Sequence, residues 1–213
     1  YYSETKKNKE YSILRRYKST TTRKKSLIYH DWNKESIPYK YFKPGGAYNS
    51  NNHNLLAWSY DDKGSEFYKI KIKNLNQKKH LNDKISETDG SVIWETNDTG
   101  FYYIKMDKNH RPSCLCFHFL GTHQDQDIEI YNEKDSGYFL NISETLSKKY
   151  LILTIHNHET SEIRIINQQK KDKFLPKILN IEDISLTSEI WLFINNNNGI
   201  WPKKFDKIIN IVT

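Results

Sequence analysis

The sequence predicts an all-β fold, and three observations support this prediction. A strand-like segment that begins with serine recurs at intervals of 48 residues, at Ser65, Ser113 and Ser161. Tyr (15 residues), Phe (9) and Trp (5) are abundant, and aromatic residues are enriched in strands. No segment has the pattern of a confident long helix. A period of roughly 40 to 50 residues made only of strands is typical of the blades of a β-propeller.

Each repeat unit is predicted to contain a strand, a turn, a second strand and a loop. The serine segments follow short apolar strands and polar turns, with the apolar strands at 55–58, 101–104 and 150–153. Strands are also expected wherever apolar and polar residues alternate. The predicted strands are 1–4, 11–17, 26–30, 55–60, 67–72, 91–94, 101–106, 113–119, 128–131, 139–142, 150–156, 162–166 and 189–194. Their inward apolar residues are expected to include Trp58, Trp94, Phe101 and Tyr150.

Several polar segments are predicted to lie between strands. Residues 43–46, Lys-Pro-Gly-Gly, are expected to form a turn, because Pro and Gly together interrupt regular structure. Residues 51–54 are expected to form a second turn, and residues 168–173 and 195–199 are expected to be loops. The strand pattern weakens after Asn167, so residues 168–213 are predicted to be at most a degenerate blade of one domain that covers 1–213.

The composition limits the classes of protein to which the chain could belong. Its mean hydropathy is −0.84, and no stretch approaches the roughly 18 apolar residues of a membrane span. The first residues lack the apolar segment of a signal peptide. The chain opens on Tyr1 rather than Met, so we expect its true start to be missing.

The basic residues raise the possibility of a nucleic-acid partner. The net charge is +7, and nine of the 33 Lys and Arg residues lie within the first 25 positions. Several of them are interleaved with Tyr11, Ile13 and Tyr17, as on a strand with one solvated face. We therefore predict a solvated surface and no nucleic-acid or membrane partner.

The two cysteines, Cys114 and Cys116, are predicted to be free thiols. Alternate residues of a strand share a face, but their Cα atoms lie about 6.5 to 7 Å apart, at or beyond the limit for a disulfide. Free thiols favour a reducing, cytoplasmic compartment. His118 lies on the same face and could complete a metal site, although alternate strand positions are usually ordinary sheet packing.

Three other polar clusters could be functional sites or ordinary surface structure. His156, His158 and Glu159 could bind a metal, but a turn between two strands accounts for them better. The cluster His123-Gln124-Asp125 is equally dense. A set of acidic residues resembles paired carboxylates, and we expect solvated side chains instead. That set is Asp125, Asp127, Glu129, Glu133 and Asp135.

The motifs of catalysis are absent from the sequence. A nucleophilic serine in an elbow requires the pattern Gly-x-Ser-x-Gly, and Ser65, Ser91 and Ser136 each lack the second glycine. There is no phosphate-binding glycine loop and no HExxH. The sequence therefore predicts no catalytic, cofactor-binding or metal-binding residue and no cofactor.

Several segments resemble oligopeptidase B, also called protease II, of the prolyl oligopeptidase family of serine peptidases. The resemblance runs over about residues 1–167. The segments that carry it most clearly are 55–58 (Leu-Leu-Ala-Trp), 62–68 (Asp-Lys-Gly-Ser-Glu-Phe-Tyr), 88–94 (Thr-Asp-Gly-Ser-Val-Ile-Trp), 107–112 (Asp-Lys-Asn-His-Arg-Pro), 118–122 (His-Phe-Leu-Gly-Thr) and 127–135. One turn departs from the family, because Ser50-Asn51-Asn52 stands where Ser-Pro-Asp is usual.

The resemblance implies a seven-bladed propeller that covers an α/β-hydrolase domain with a Ser-Asp-His triad. Members of the family cleave short peptides after Arg and Lys, and the propeller excludes folded proteins. None of the catalytic or specificity segments of the family is found in this sequence, so no catalytic residue is transferred to it.

Seven blades of about 48 residues would need roughly 340 residues, so the chain supplies about four. We expect a fragment whose open propeller edge favours self-association. Two alternatives remain open at this point. One is a free-standing binding module that uses the basic segments 11–17 and 23–25, and the other is a non-functional remnant of a split or decaying gene.

Overall fold

The fold is known from a computed structural model, which describes residues 1–168 and the short strand Leu179–Asn180. The described part consists mainly of antiparallel strands, with one five-residue α-helix and two single turns of 3-10 helix. The strands form sheets that follow one another along the chain, as expected for a propeller. The all-β fold and the partial propeller of about four blades are therefore confirmed.

The first blade is a three-stranded sheet in the order β1-β2-β3. Its strands are Tyr2–Glu4, Ile13–Arg16 and Leu27–Asp31. Helix α1, Trp32–Ser36, follows β3, and the Asp31 side chain accepts a hydrogen bond from the backbone N–H of Asn33 at its start. This N-cap satisfies a backbone donor that the first turn of a helix leaves free.

The second and third blades each contain four strands. In the second blade they are β4, Lys43–Asn49, β5, Leu55–Asp61, β6, Tyr68–Asn74, and β7, Lys79–Thr88. In the third blade they are β8, Ile93–Trp94, β9, Gly100–Met106, β10, Pro112–Phe119, and β11, Ile128–Asn132. Only the pair Thr88 and Lys105 joins the two sets, so they are two blades rather than one wide sheet.

The fourth blade is a four-stranded sheet in the order β12-β13-β14-β15. Its strands are Phe139–Glu144, Tyr150–His156, Ser161–Asn167 and Leu179–Asn180. The hairpin of β13 and β14 corresponds to the hairpins β5–β6 and β9–β10 of the two preceding blades. These three hairpins contain the 48-residue repeat, so the predicted strand–turn–strand unit is confirmed.

The hydrophobic core lies between consecutive blades. One cluster joins the first two blades around Trp58, a second joins the next two blades around Phe101 and Tyr103, and a third joins the last two around Tyr102 and Leu151. Strand β9 therefore contributes alternate side chains to two clusters, which agrees with the two-residue period of a strand. The predicted inward residues Trp58, Trp94, Phe101 and Tyr150 are all buried.

The prediction of a turn at 43–46 was wrong, because these residues begin strand β4. The β4–β5 pairing shifts register between Pro44 and Ala47, so the strand contains a bulge there. A Cβ atom on Gly45 would clash with the Ser59 Oγ atom, and the Gly46 N–H donates a 2.8 Å hydrogen bond to the same oxygen. The glycines therefore permit close packing on β5 rather than a reversal of the chain.

Strand β7 and helix α1 are among the elements that were not predicted. Strand β7 is ten residues long, but Lys, Asn and Asp dilute its apolar signal, leaving Leu81 and Ile85 as the apolar residues. Helix α1 is too short to show a helical period. The expected strand at 189–194 and the expected loop at 195–199 lie outside the described residues. Among the residues that are described, no helix is long and apolar enough to cross a membrane.

Candidate functional site: the channel wall

The first strands of three blades lie beside one another, because β8 contacts both β4 and β12. Blades of a propeller surround a central channel, so these strands form its wall. A cavity of about 320 Å³ opens on this wall; we call it the channel cavity. It is lined by residues from all four blades, namely Tyr1, Tyr48, Asn49, His53, Val92, Ile93, Trp94, Glu144 and Lys148.

One carboxylate and one ammonium group face the channel cavity. The Lys148 Nζ atom lies 3.9 Å from the Glu144 Oε1 atom and donates a 3.1 Å hydrogen bond to the Asn51 Oδ1 atom. Burial raises the pKa of Glu144, and the nearby Lys148 charge opposes this shift. Because both groups remain partly exposed, at 34% for Glu144 and 49% for Lys148, either can meet a charged ligand.

The rest of the cavity is aromatic and polar. The Tyr1 hydroxyl is 2.8 Å from the His53 Nδ1 atom, and the Trp94 indole N–H donates to the Tyr48 carbonyl at 2.9 Å. No lining residue is Ser, Thr or Cys. The cavity can therefore hold a polar peptide through charge, hydrogen bonds and aromatic contacts, but it contains no hydroxyl or thiol nucleophile of the Ser, Thr or Cys type.

The same type of turn follows the first strand of the second, third and fourth blades. In each, the backbone N–H of the first residue donates to the carbonyl five residues later, with the donors at Ser50, Glu95 and Thr145. The Asp98 carboxylate accepts from the backbone N–H groups of Asn51 and Asn52 at 2.7 and 2.8 Å. A carboxylate from one blade thus fixes the turn of its neighbour, at the position where the sequence departs from the family pattern.

A buried ionic network joins the outer strands of the second and third blades. The His118 Nε2 atom is 3.1 Å from the Asp83 Oδ1 atom, and its Nδ1 atom is 2.6 Å from the Asp127 Oδ1 atom. Tyr103 donates its hydroxyl to Asp127 at 2.8 Å, and the Gly121 N–H donates to Asp83 at 2.6 Å.

The charge state of this network follows from its hydrogen bonds. Burial lowers the pKa of His118, but hydrogen bonds to Asp127 and Asp83 outweigh it and raise the pKa to about 9. Burial raises the pKa of Asp83, but hydrogen bonds from His118 and Gly121 lower it below its usual value. At neutral pH the network is therefore an imidazolium between carboxylates, which crosslinks two blades.

The expectation of solvated acidic side chains was wrong for Asp127, whose side chain is only 4% exposed. Asp125 and Asp135 are exposed as expected. The idea that His118 could complete a metal site with the cysteines also fails, because both of its nitrogens contact carboxylates. Asp83 was missed because it lies on the unpredicted strand β7.

The other predicted polar clusters lie on the surface. Residues 157–160 form the turn between β13 and β14, with His158 and Glu159 exposed. Residues 124–126 form a turn of 3-10 helix that the His123 side chain caps. Within residues 1–168, no group of three or more His, Cys, Asp or Glu side chains is arranged to hold a metal ion.

The basic residues near the N-terminus are partly used inside the fold. Arg15 pairs with Glu4 at 2.7 Å, Arg16 donates to the His53 carbonyl at 2.6 Å, and Arg23 lies over the Tyr2 ring at 4.2 Å. The pair with Glu4 neutralises one of these charges, and the other two contacts hold Arg16 and Arg23 against the fold.

Comparison with known proteins matches residues 1–201 to a family described as prolyl oligopeptidase, N-terminal β-propeller domain. The chain belongs to this family. Protease 2 of Moraxella lacunata is 29% identical over 176 residues, which are 78% of this chain and 25% of that protein. The resemblance to the prolyl oligopeptidase family that the sequence motifs indicated is thus confirmed.

Solved structures of family members have the same fold. Oligopeptidase B from Leishmania major aligns with a TM-score of 0.80 and 22% identity, over 85% of this chain and 26% of that one. Oligopeptidase B from Trypanosoma brucei, in a closed form with covalently bound antipain, aligns with a TM-score of 0.76 and 26% identity over 84% and 26%. This 213-residue chain therefore spans about a quarter of the length of these relatives.

Proposed function

We propose that this chain is the substrate-gating propeller of a serine peptidase that cleaves short peptides after Arg or Lys. The family match over residues 1–201 carries the proposal. The similarity to Protease 2 and to oligopeptidase B supports the preference for basic residues. In this role the propeller acts as a filter, since short peptides fit its channel and folded proteins do not.

We place the chemistry outside residues 1–213. The sequence has no Gly-x-Ser-x-Gly elbow, and no Ser, Thr or Cys is among the residues that line the channel cavity. An α/β-hydrolase domain, in the same polypeptide or in a second one, would supply the Ser-Asp-His triad. No cofactor is required for such a triad, because its serine is activated by a histidine base.

In this proposal Glu144 is the group that favours basic peptides at the channel wall. An Arg or Lys side chain that reaches the channel cavity can pair with Glu144, whereas Lys148 repels it and keeps the contact weak. A weak contact suits a passage, because a peptide that bound tightly would not move on to the catalytic domain. Residues 1–213 would then be a single partial propeller in a cytoplasmic protein, and the two free cysteines support that compartment.

Binding of a short labelled peptide tests this role of Glu144. A fluorescent tetrapeptide with one Arg should bind the 213-residue chain more tightly than its Glu-containing counterpart, as measured by fluorescence anisotropy. Glu144→Gln should weaken binding of the Arg peptide by about 1.4-fold to fivefold, since an exposed ion pair contributes about 0.2 to 1 kcal/mol. Glu159→Gln is the matched control, because Glu159 is exposed on a turn away from the channel cavity and should leave affinity unchanged.

Hydrolysis by the chain alone would contradict the assignment of catalysis to another domain. We expect no turnover of Arg- or Lys-containing reporter peptides by the 213-residue chain. Turnover that disappears when one of its serines is replaced would overturn the proposal. Preferential binding of acidic peptides that is lost between low and physiological salt would favour the binding module instead.

A further inference from the structure

The two thiols of strand β10 lie close together in the core. The Cys114 and Cys116 Sγ atoms are 3.6 Å apart, and both residues are free and buried, with 4% and 2% exposure. The role of the propeller as a filter does not use them.

The irregular pairing of β10 accompanies the close approach of the thiols. The register against β9 shifts between Pro112 and Cys114, and the register against β11 shifts between Leu115 and Cys116. Such bulges increase the local twist of a strand. These irregularities lie beside Cys114 and within the pair, whose sulfur atoms are 3.6 Å apart.

The surroundings of the thiols are mostly apolar. Both belong to the cluster between the second and third blades, which includes Ile85, Phe101 and Tyr103. The hydrogen bond with Cys114 lowers the pKa of Cys116, while the same bond and burial raise the pKa of Cys114. Within the pair, one thiol therefore accepts a hydrogen bond from the other.

We propose that Cys114 and Cys116 form a chelating site for a neutral trivalent arsenic species, with arsenous acid, As(OH)₃, as the simplest ligand. Two As–S bonds form and two As–OH bonds break. The two thiol protons leave with the two hydroxyl groups as two molecules of water, and one hydroxyl stays on arsenic. No oxidant or reductant is needed, because arsenic and sulfur keep their oxidation states.

The geometry of the pair suits one atom bridging two sulfurs. With bonds of about 2.3 Å, the length of a zinc–thiolate bond, a separation of 3.6 Å corresponds to an angle of about 100° at the bridging atom. A tetrahedral dication would need further ligands, and His118 is already held by Asp83 and Asp127. A neutral ligand that needs only two thiols avoids placing an uncompensated charge among apolar side chains.

Thermal unfolding with and without arsenite tests whether the folded chain holds the ligand. The 213-residue chain is kept reduced with a phosphine, because dithiols would compete for arsenic. A ligand that binds the folded state raises the Tm, and an excess of a hundredfold over Kd should raise it by about 5 to 10 °C. A thiol titration of the folded chain should show both thiols protected together by one equivalent of arsenic.

Single substitutions distinguish chelation from other effects. Cys114→Ser and Cys116→Ser should each abolish the rise in Tm, since one thiol cannot chelate. Either variant is informative alone if the other does not fold. A Tm that falls with arsenite would mean that only the unfolded chain binds, and an unchanged Tm, or a rise that survives either substitution, would equally overturn the site.

Discussion

Two histidines, His30 and His118, are both buried in this propeller but lie in contrasting surroundings. His30 is 1% exposed and lies between the first and second blades, while His118 is 0% exposed and lies between the second and third. His118 contacts two carboxylates. His30 instead packs against Trp32 and Trp58, with ring centroids 4.3 and 5.1 Å away, and neither of its nitrogens has a hydrogen-bond partner among the described residues.

Burial lowers the pKa of both side chains, and their neighbours decide the outcome. At His30 burial dominates and the pKa falls to about 3, although the Glu35 charge opposes it. The Glu35 Oε1 atom is 3.9 Å from the His30 Nδ1 atom, which is too long for a hydrogen bond. Glu35 is instead paired with Lys73 at 3.2 Å and with His80 at 3.3 Å.

The comparison shows that a carboxylate nearby is not enough to hold a buried imidazolium. Direct hydrogen bonds that His118 donates to Asp83 and Asp127 offset its desolvation. At His30 the nearest carboxylate is committed to Lys73 and His80, and the neutral ring avoids the cost of a buried charge. The two interfaces between blades are therefore expected to respond in opposite ways to mutation and to pH.

The largest expected effect is the loss of stability in His118→Leu. This substitution leaves Asp83 and Asp127 buried without their cation, and breaking a buried ion pair in this way typically costs about 3 to 5 kcal/mol. Urea unfolding at pH 7 measures the change in the free energy of unfolding. The combined variant His118→Leu with Asp83→Asn and Asp127→Asn should recover much of the loss, because it removes the charges together. An effect below about 1 kcal/mol for His118→Leu would contradict the charged network.

Alkaline pH is expected to lower the free energy of unfolding slightly less than His118→Leu does. The folded-state pKa of His118, about 9, is above its unfolded value of 6.5, so its contribution is complete below pH 6.5 and is lost as pH rises through 9. At about 1.4 kcal/mol per pKa unit, the loss should be about 3 kcal/mol. The difference in unfolding free energy between the wild type and His118→Leu, measured from pH 6.5 to 9.5, should shrink accordingly. A constant difference would mean that His118 is neutral in the fold.

The propeller could be predicted from the sequence because its signal is periodic. Serine segments, apolar strands and polar turns recur in the three hairpins, and the family motifs of segments such as 107–112 follow the same order. Strand β7 could not be predicted, since its outer position requires few apolar residues. The glycines of 43–46 led to the wrong prediction of a turn, because a bulged strand and a turn need the same small residues.

The polar contacts between blades could not be predicted, because their partners are distant in sequence. Asp83 and His118 are 35 residues apart, and Asn51 and Asp98 are 47 apart. Neither pair forms a local motif. The position of Asp127 in an acidic segment suggested solvent, whereas the structure buries its side chain. The channel cavity similarly requires the closure of several blades before Glu144 and Lys148 can be placed on one wall.

The smallest effect at neutral pH is expected for His30→Leu, the counterpart of the first substitution. It leaves no charge unpaired, because Glu35 keeps Lys73 and His80, and it removes two buried nitrogens without partners. Its stability at pH 7 should therefore stay within about 1 kcal/mol of the wild type.

Acidic pH should reduce the stability that depends on His30, whereas alkaline pH should reduce the stability that depends on His118. Because the folded pKa of His30 is about 3 and its unfolded value is 6.5, its neutral ring contributes fully above pH 6.5, and stability is lost as pH falls towards 3. The charged groups that face it are Glu35 on α1, Lys73 on β6 and His80 on β7, together with Asp31 on its own strand. Between pH 6.5 and 4.5 the wild type should lose about 2 kcal/mol more than His30→Leu. Equal losses in the two proteins would show that His30 takes up a proton inside the fold, and the contrast with His118 would then disappear.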